Sequence, residues 1–427
     1  MRISFVSNLF PPHTRGGYEL GCADIARACQ GLGHRVEVLT SLACGNLRRS
    51  RPADDLSVHA VFEPVYFYED PVIAYRSTDS GWMRRRCAAF GGAIIPNMLT
   101  LYLHLVRRQP DVVWVFNPLG LGTVGLLEVC ALTAKRCLIH LMDDIDGVVA
   151  DHQQFQNFLG RFQRVKAQIS AISCTEHVRA KNSGVGLYRS NRVIFNGVRF
   201  PVDIRPVAGR KAAGERLRVI YFGQVERHKG LIQLVMGASR LQTLYPDLRF
   251  QIDIVGGGSP FFKQELTELI TKAGLTNKVH LLGFMEKPRL HESLSNYDVA
   301  VFLLDKNEPF AFAPFEAVTA GLPIVVTPIP AFQELGMNDY PLLVQNRDDA
   351  DEVAARLRFA NDNRSRMPQL GQSLRQILRS SLDFDGVVLP RYFDEIRNCP
   401  VRRQPVPPIH QIVAPYQTYS SYAHVVA

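Results

Sequence analysis

Glu308-Pro-Phe-Ala-Phe-Ala-Pro-Phe-Glu316 holds two carboxylates with seven residues between them. It follows Asp298-Val-Ala-Val-Phe-Leu-Leu304, an apolar run that reads as a buried parallel strand. Pro314 suits the first turn of a helix that continues through Ala320 and stops at Gly321. Glu308 is therefore expected in a loop at the C-terminal end of a strand, and Glu316 in the first turn of the next helix. Open α/β sheets bind ligands at that edge, where helix N-termini favour anions. Both residues also have an explanation without a ligand. An acidic side chain in a first helical turn stabilises the helix dipole, and Glu308 would serve as a solvated loop residue.

On either side of this stretch, strand and helix patterns alternate. Leu217–Gly223 reads as a strand, and Gly230–Tyr245 as an amphipathic helix with Leu231, Leu234, Val235, Ala238, Leu241 and Leu244 at helical spacing. Phe250–Val255 is a further strand closing on Gly256-Gly257-Gly258. The first half repeats the pattern with strands at Arg2–Ser7, Val36–Thr40, Val112–Phe116 and Cys137–Met142. Its helices are expected at Tyr18–Gly33, Leu121–Ala134 and Gln153–Lys166. This alternation predicts an α/β chain with two doubly wound parallel sheets. Residues 1–196 form the first domain in this reading, and residues 197–216, with Pro201, Pro206, Gly209 and Gly214, form a linker. Residues 217–382 form the second domain, Leu389–Arg397 is one more helix, and residues 398–427 are an irregular tail.

The chain has 427 residues, enough for about two to three domains. Its 46% hydrophobic and 21% charged content is globular rather than disordered. A net charge of +9 and a pI near 9.2 favour acidic partners such as nucleotide phosphates or anionic lipid. No aromatic RNA-binding motif accompanies the charge, so nucleic acid is not an expected partner. The eight cysteines form no CxxC pair, which argues against zinc and redox sites and suits free thiols in a reducing cytoplasm. Met1–Phe10 is too short an apolar run for a signal peptide and reads as the first strand. Cys87–Val106 is apolar but carries Pro96, Asn97 and His104, so a packed or interfacial helix is expected rather than a membrane span. Arg84-Arg85-Arg86 just before it would either face an anionic membrane or form a solvated basic turn.

Three further stretches carry chemistry. Pro11-Pro-His-Thr-Arg-Gly-Gly-Tyr-Glu19 joins a strand to a helix, and Gly16 and Gly17 allow a ligand close to the backbone. It is not GxGxxG, which disfavours a nicotinamide dehydrogenase. Gly223-Gln-Val-Glu-Arg-His-Lys229-Gly230 makes a second such turn. A cation at a helix start opposes the dipole, so Lys229, with Arg227 and His228, points to an anion such as a diphosphate. In Leu138-Ile-His140-Leu-Met142-Asp143-Asp144-Ile-Asp146, His140 reads either as a packed strand residue or as a catalytic group. Asp143 lies at the strand's C-terminal end, and Asp144-Ile-Asp146 is a DxD tripeptide too common by chance to establish a metal site.

Together these residues resemble the family-4 retaining glycosyltransferases of GT-B fold, from Met1 to about Asn398. The resemblance rests on Gly16-Gly17, Gly31-Leu-Gly33-His34, Pro110-Asp111-Val-Val113, Ile194-Phe-Asn196-Gly197, Gly223 to Gly230, Ile254 to Gly258, Glu308 to Ala317 and Gly321-Leu-Pro323. It implies two Rossmann-like domains facing a cleft, an N-terminal one for the acceptor and a C-terminal one for a nucleotide-diphosphate sugar. It implies that Glu316 binds the ribose, that Glu308 lies near the donor sugar, and that backbone around Phe310, Ala311 and Phe312 positions the donor. Lys229 would offset charge on the leaving diphosphate, with Gly16, Gly17, Gly223 and Arg227 also at the donor and His140 and Asp143 facing it. The implied reaction moves a sugar to a glycan or lipid-linked acceptor with retention, needs no cofactor and no metal, and takes place in the cytoplasm or at a membrane's cytoplasmic face. The helix at Leu389–Arg397 would pack back on the first domain. Three positions depart from the family pattern: Gln224 replaces an arginine, Met142 a histidine and Arg199 an aspartate. They motivate an alternative, a weak or inactive relative that binds a sugar nucleotide as a partner or regulator; a sugar-nucleotide epimerase of the same fold is another.

Overall fold

The computed structural model of the chain describes residues 1–13, 16–42, 56–63, 92–145, 165–184, 186–201 and 216–420. The chain forms two compact units, Met1–Ile194 with Arg391–Ala427, and Phe195–Pro390.

The first unit is built on a seven-stranded sheet of order β3-β2-β1-β4-β5-β6-β7. The strands are β1 Arg2–Ser7, β2 Arg35–Ser41, β3 Ser57–Phe62, β4 Val112–Asn117, β5 Cys137–Leu141, β6 Ile169–Ser173 and β7 Ser190–Val193, and every pairing is parallel. Val112 to Phe116 have no exposed surface, which explains their unbroken apolar run: a strand covered on both faces needs no polar alternation. Strand order reverses at β1/β4, so the turn after β1, which contains Gly16, lies at the switch point where such sheets bind ligands.

The second unit has a five-stranded parallel sheet of order β10-β9-β8-β11-β12. Its strands are β8 Leu217–Phe222, β9 Phe250–Val255, β10 Val279–Gly283, β11 Val299–Phe302 and β12 Ile324–Val326. Here the order reverses at β8/β11. That places the Gly223–Gly230 turn beside the stretch that ends at Glu316, although some 80 residues separate them in sequence. Beyond β12, Leu342–Val344 adds only one bridge, Val326 to Leu343.

Two expected boundaries change. The start of the predicted linker belongs to the second unit: Val198 donates to Leu382 O at 2.9 Å, and the Arg199 guanidinium lies 4.6 Å from the Phe384 ring. Residues 202–215 of that linker are outside the described residues. Residues 398–427 are not irregular throughout, because Ile409–Ser420 is a helix. Tertiary contacts hold it to the first unit: Tyr416 donates to Glu128 at 2.5 Å, and Tyr102 donates to Pro407 O at 3.0 Å. Finally, β3 is an edge strand that the sequence reading missed.

The apolar stretch after Arg84–Arg86 is helical over Ile95–Arg108. Met98, Leu101 and Leu105 are buried, and Leu99, Leu103 and Val106 are exposed. Arg84–Arg86, the start of that stretch, most of the helix expected at Gln153–Lys166, and Asp146 of the DxD tripeptide lie outside the described residues. Among the described residues no helix is long and apolar enough to cross a membrane. Six cysteines among the described residues, Cys22, Cys29, Cys130, Cys137, Cys174 and Cys399, are buried.

Candidate functional site

In the second unit β8 ends in a turn whose shape depends on glycine. Gly223 has φ +137°, and a Cβ there would stand 3.4 Å from the Tyr221 hydroxyl and 4.0 Å from the Ala313 Cβ. The turn after β8 thus lies against the start of helix Phe312–Thr319. Tyr221 is buried and donates to Gln224 O at 2.6 Å, fixing the turn from below. Burial first, then the nearby Glu308 and Glu226 carboxylates, push the Tyr221 phenol far above its usual range, so it remains a hydrogen-bond donor. Val225 donates to Gly257 O at 2.7 Å, and Ser259 N donates to Glu226 at 2.9 Å, tying the Gly256-Gly257-Gly258 loop to the same turn.

Lys229 ends a short 3-10 turn, Arg227–Lys229, just before helix Leu231–Leu244. Gly230 between them has φ +76°, and a Cβ there would meet Leu303 O at 1.9 Å. The Lys229 backbone is therefore pressed onto the end of β11. Its ammonium lies 3.0 Å from Glu308 Oε2, with side chains 15% and 25% exposed. The cation that opposes the helix dipole thus has an anion beside it. Arg227 is instead held by Glu265 at 2.5 Å, with its guanidinium 5.9 Å from the Phe262 ring.

Helix Phe312–Thr319 begins earlier than the sequence suggested. Ala311 is its extended N-cap, with no side-chain cap bond, and Glu316 falls in the second turn rather than the first. Pro314 is tolerated at the third position because first-turn amides have no intrahelical acceptor in any case. Phe310 is buried and stacks on Phe315 with centroids 4.6 Å apart, and Phe315 stacks on Phe332 at 5.0 Å. This stack fixes the strand-to-helix connection, so the Phe312 and Ala313 amides stand at a rigid helix N-terminus near Gly223. Glu316 accepts from Lys287 at 2.6 Å. His291, also near Glu316 and Lys287, has an imidazole whose pKa burial pulls below its usual value. Its Nε2 is buried without a hydrogen-bond partner. Lys287 and His291 were not legible in the sequence, because they come from helix Lys287–Leu294, which carries none of the motif residues.

In the first unit Gly16 has an ordinary extended φ of −163°, is exposed, and a Cβ there would meet nothing within 4 Å. Neither the backbone nor the packing of this unit requires glycine at that position. Gly17 opens the following helix. Tyr18, which the sequence reading did not select, accepts from Met142 N at 2.7 Å and so ties the Gly16-Gly17 turn to the end of β5. Burial and the nearby Asp143 raise its phenol pKa. Asp143 is exposed at the sheet edge; Asn182 donates to its carbonyl at 2.9 Å. His140 is fully buried: its ring stacks on Phe116 at 4.6 Å and meets Tyr392 edge-on at 5.5 Å. Of its two readings, the packed strand residue describes its place in the structure. Among the described residues no three His, Cys, Asp or Glu side chains group as a metal site.

Residues 208–376 match the family model described as glycosyl transferases group 1. Over 398 residues, covering 91% of this chain and 92% of the relative, the sequence is 25% identical to a glycogen synthase of Mycobacterium tuberculosis. It is 30% identical to a GDP-mannose:cellobiosyl-diphosphopolyprenol alpha-mannosyltransferase of Xanthomonas oryzae over 163 residues, 38% of this chain and 41% of that one. Among solved structures, a glycosyltransferase of Rickettsia africae aligns with TM-score 0.68 at 14% identity, covering 93% of this chain and 98% of that one. Anabaena HepE in complex with UDP aligns with TM-score 0.65 at 17% identity, covering 93% and 100%. The chain thus has the GT-B fold of two parallel-sheet α/β domains, and residues 208–376, within its second unit, are similar to the glycosyl transferases group 1 family.

Proposed function

We propose that the chain is a retaining glycosyltransferase that moves a sugar from a nucleotide-diphosphate sugar to a glycan or lipid-linked acceptor. The second unit holds the donor and the first receives the acceptor. One observation carries this reading: the second unit's switch point gathers Lys229, Glu308, the amides at Phe312 and Ala313, and Glu316 on one sheet edge. The helix N-terminus and Lys229 suit a diphosphate. Lys229 stabilises charge as it builds on the leaving phosphate, Glu308 lies toward the donor sugar, and Glu316 takes the ribose hydroxyls. Attack on the same face that the diphosphate leaves, with that phosphate taking the acceptor's proton, retains the anomeric configuration.

The test is turnover. HepE was solved with UDP, and the Xanthomonas relative is named for GDP-mannose, so uridine and guanosine diphosphate sugars head the donor panel. Each is incubated with mixed lipid and oligosaccharide acceptors, and products are read by mass spectrometry and anomeric NMR. The expected product is an α-linked sugar from an α-linked donor, formed at the same rate after metal chelation. Nucleotide binding with no transfer across the panel overturns the reading in favour of a sugar-nucleotide-binding relative. The proposed site of action is the cytoplasm or a membrane's cytoplasmic face, checked by sedimentation with anionic and neutral liposomes.

A further inference from the structure

We propose that Arg347 is a positioning residue that holds both halves of the Lys229–Glu308 pair in register; this rests on the reading of that pair as the groups beside the diphosphate. Arg347 Nη2 donates to Asp305 Oδ2 at 2.9 Å, and Nη1 donates to His228 O at 3.3 Å. One planar guanidinium thus spans two segments. His228 directly precedes Lys229. Asp305 leads into Glu308, whose amide donates to Asp305 O at 2.9 Å. The other oxygen, Asp305 Oδ1, accepts from Asn307 N at 2.9 Å. That backbone hydrogen bond first, and Arg347 also, hold the Asp305 carboxyl below its ordinary value, so it stays an anionic acceptor.

Arg347 is itself fixed from both sides. Gln345 N and Asn346 N donate to the two Glu352 carboxylate oxygens at 2.7 and 2.9 Å. Gln233, two residues after Leu231 opens its helix, donates to Asp348 at 2.9 Å. The Arg347 side chain is 21% exposed. A rigid turn therefore aims a two-pronged donor at the two loops that deliver Lys229 and Glu308. Neither loop belongs to a strand, so sheet hydrogen bonds do not fix their separation, and the clamp supplies that constraint.

The experiment reads Lys229 directly. Reductive methylation of the full chain, followed by mass spectrometry, gives the labelling rate of Lys229 relative to exposed Lys272. In Arg347→Ala the Lys229 rate is expected to rise about fivefold or more, and kcat for transfer to fall about tenfold with donor KM within about twofold. Arg347→Lys keeps the charge but lacks the fork, so it is expected to recover less than half of either effect. Asp305→Asn should act in the same direction, and its combination with Arg347→Ala should add little, because both break one clamp. If Arg347→Ala does not fold, Arg347→Lys and Asp305→Asn decide the matter. A Lys229 rate unchanged in folded variants overturns the proposal. If wild type transfers no sugar, the functional reading falls, while the labelling result still decides whether the clamp exists.

Discussion

The Lys229–Glu308 and Lys287–Glu316 pairs carry the same charges at 3.0 and 2.6 Å, yet their surroundings differ. Lys229 is 15% exposed and rises from a turn pressed against the end of β11, whereas Lys287 is 61% exposed on a helix surface. The acceptors are alike, with Glu308 25% and Glu316 22% exposed. What separates the pairs is the lysine. A lysine fixed by backbone on a rigid sheet edge is prepared to meet charge that develops during a reaction. A lysine on a long exposed stem shields a carboxylate until another partner takes it. Under the proposed function, the first pair would serve the chemistry and the second recognition of the nucleoside.

Four substitutions test this contrast. Lys229→Ala is expected to lower kcat about 10²- to 10³-fold while nucleotide affinity changes little, as for loss of one preorganised donor to a developing anion. Steady-state kinetics with the active donor check it, and a loss confined to KM would make Lys229 a simple binding group. Glu316→Ala is expected to weaken nucleotide binding about 10- to 150-fold, the value of about 1.5–3 kcal/mol for hydrogen bonds to a charged group. Calorimetry measures this, and unchanged affinity would remove Glu316 from the ribose.

Lys287→Ala tests the other half of the second pair. An exposed ion pair is worth about 0–1 kcal/mol, so the unfolding midpoint should barely move. Nucleotide affinity should stay within about threefold of wild type, which is under 1 kcal/mol. A large fall would show that Lys287 itself contacts the ligand.

The smallest effect is in pH. Burial depresses the His291 pKa, with Glu316 opposing and Lys287 reinforcing the shift. The unfolded chain, with a pKa near 6.5, then binds more protons than the fold. Its contribution to stability is full above about pH 6.5 and is lost as pH falls toward the folded value. Thermal unfolding across that window should show a shallower acid slope for His291→Gln than for wild type. An identical slope would mean that the imidazole is not desolvated beside Glu316.

The second unit was the more legible in sequence, for a physical reason. Its strands β11 and β12 are wholly buried and appear as unbroken apolar runs, and its turns carry glycines that the backbone requires at 223 and 230. The family resemblance placed Lys229 and Glu308 at one donor site, but their ion pair was visible only in the structure. What the sequence did not show depends on contacts between distant residues. Arg347 lies 42 residues from Asp305 and 119 from His228, beyond any local period. The start of helix Phe312–Thr319 was misplaced because Pro314 fits more than one position in a first turn. His140 was ambiguous because the Tyr392 ring that covers it comes from helix Leu389–Asn398, far along the chain. The helix over Ile409–Ser420 has Pro415 inside it, so local propensity argued against it and packing against the first unit decided the outcome.

That last helix and its neighbour have a consequence for how the molecule is made. Tyr392 closes the aromatic cluster around Trp114 and Phe116, and Tyr416 reaches Glu128 across 288 residues of chain. On the ribosome, residues 1–194 emerge first but lack these covering side chains until all of residues 195–390 have been synthesised. The second unit, continuous in sequence, can reach its native packing before the first is sealed. The first unit must wait with its aromatic cluster uncovered, and this is the interval in which the nascent chain most needs protection from aggregation.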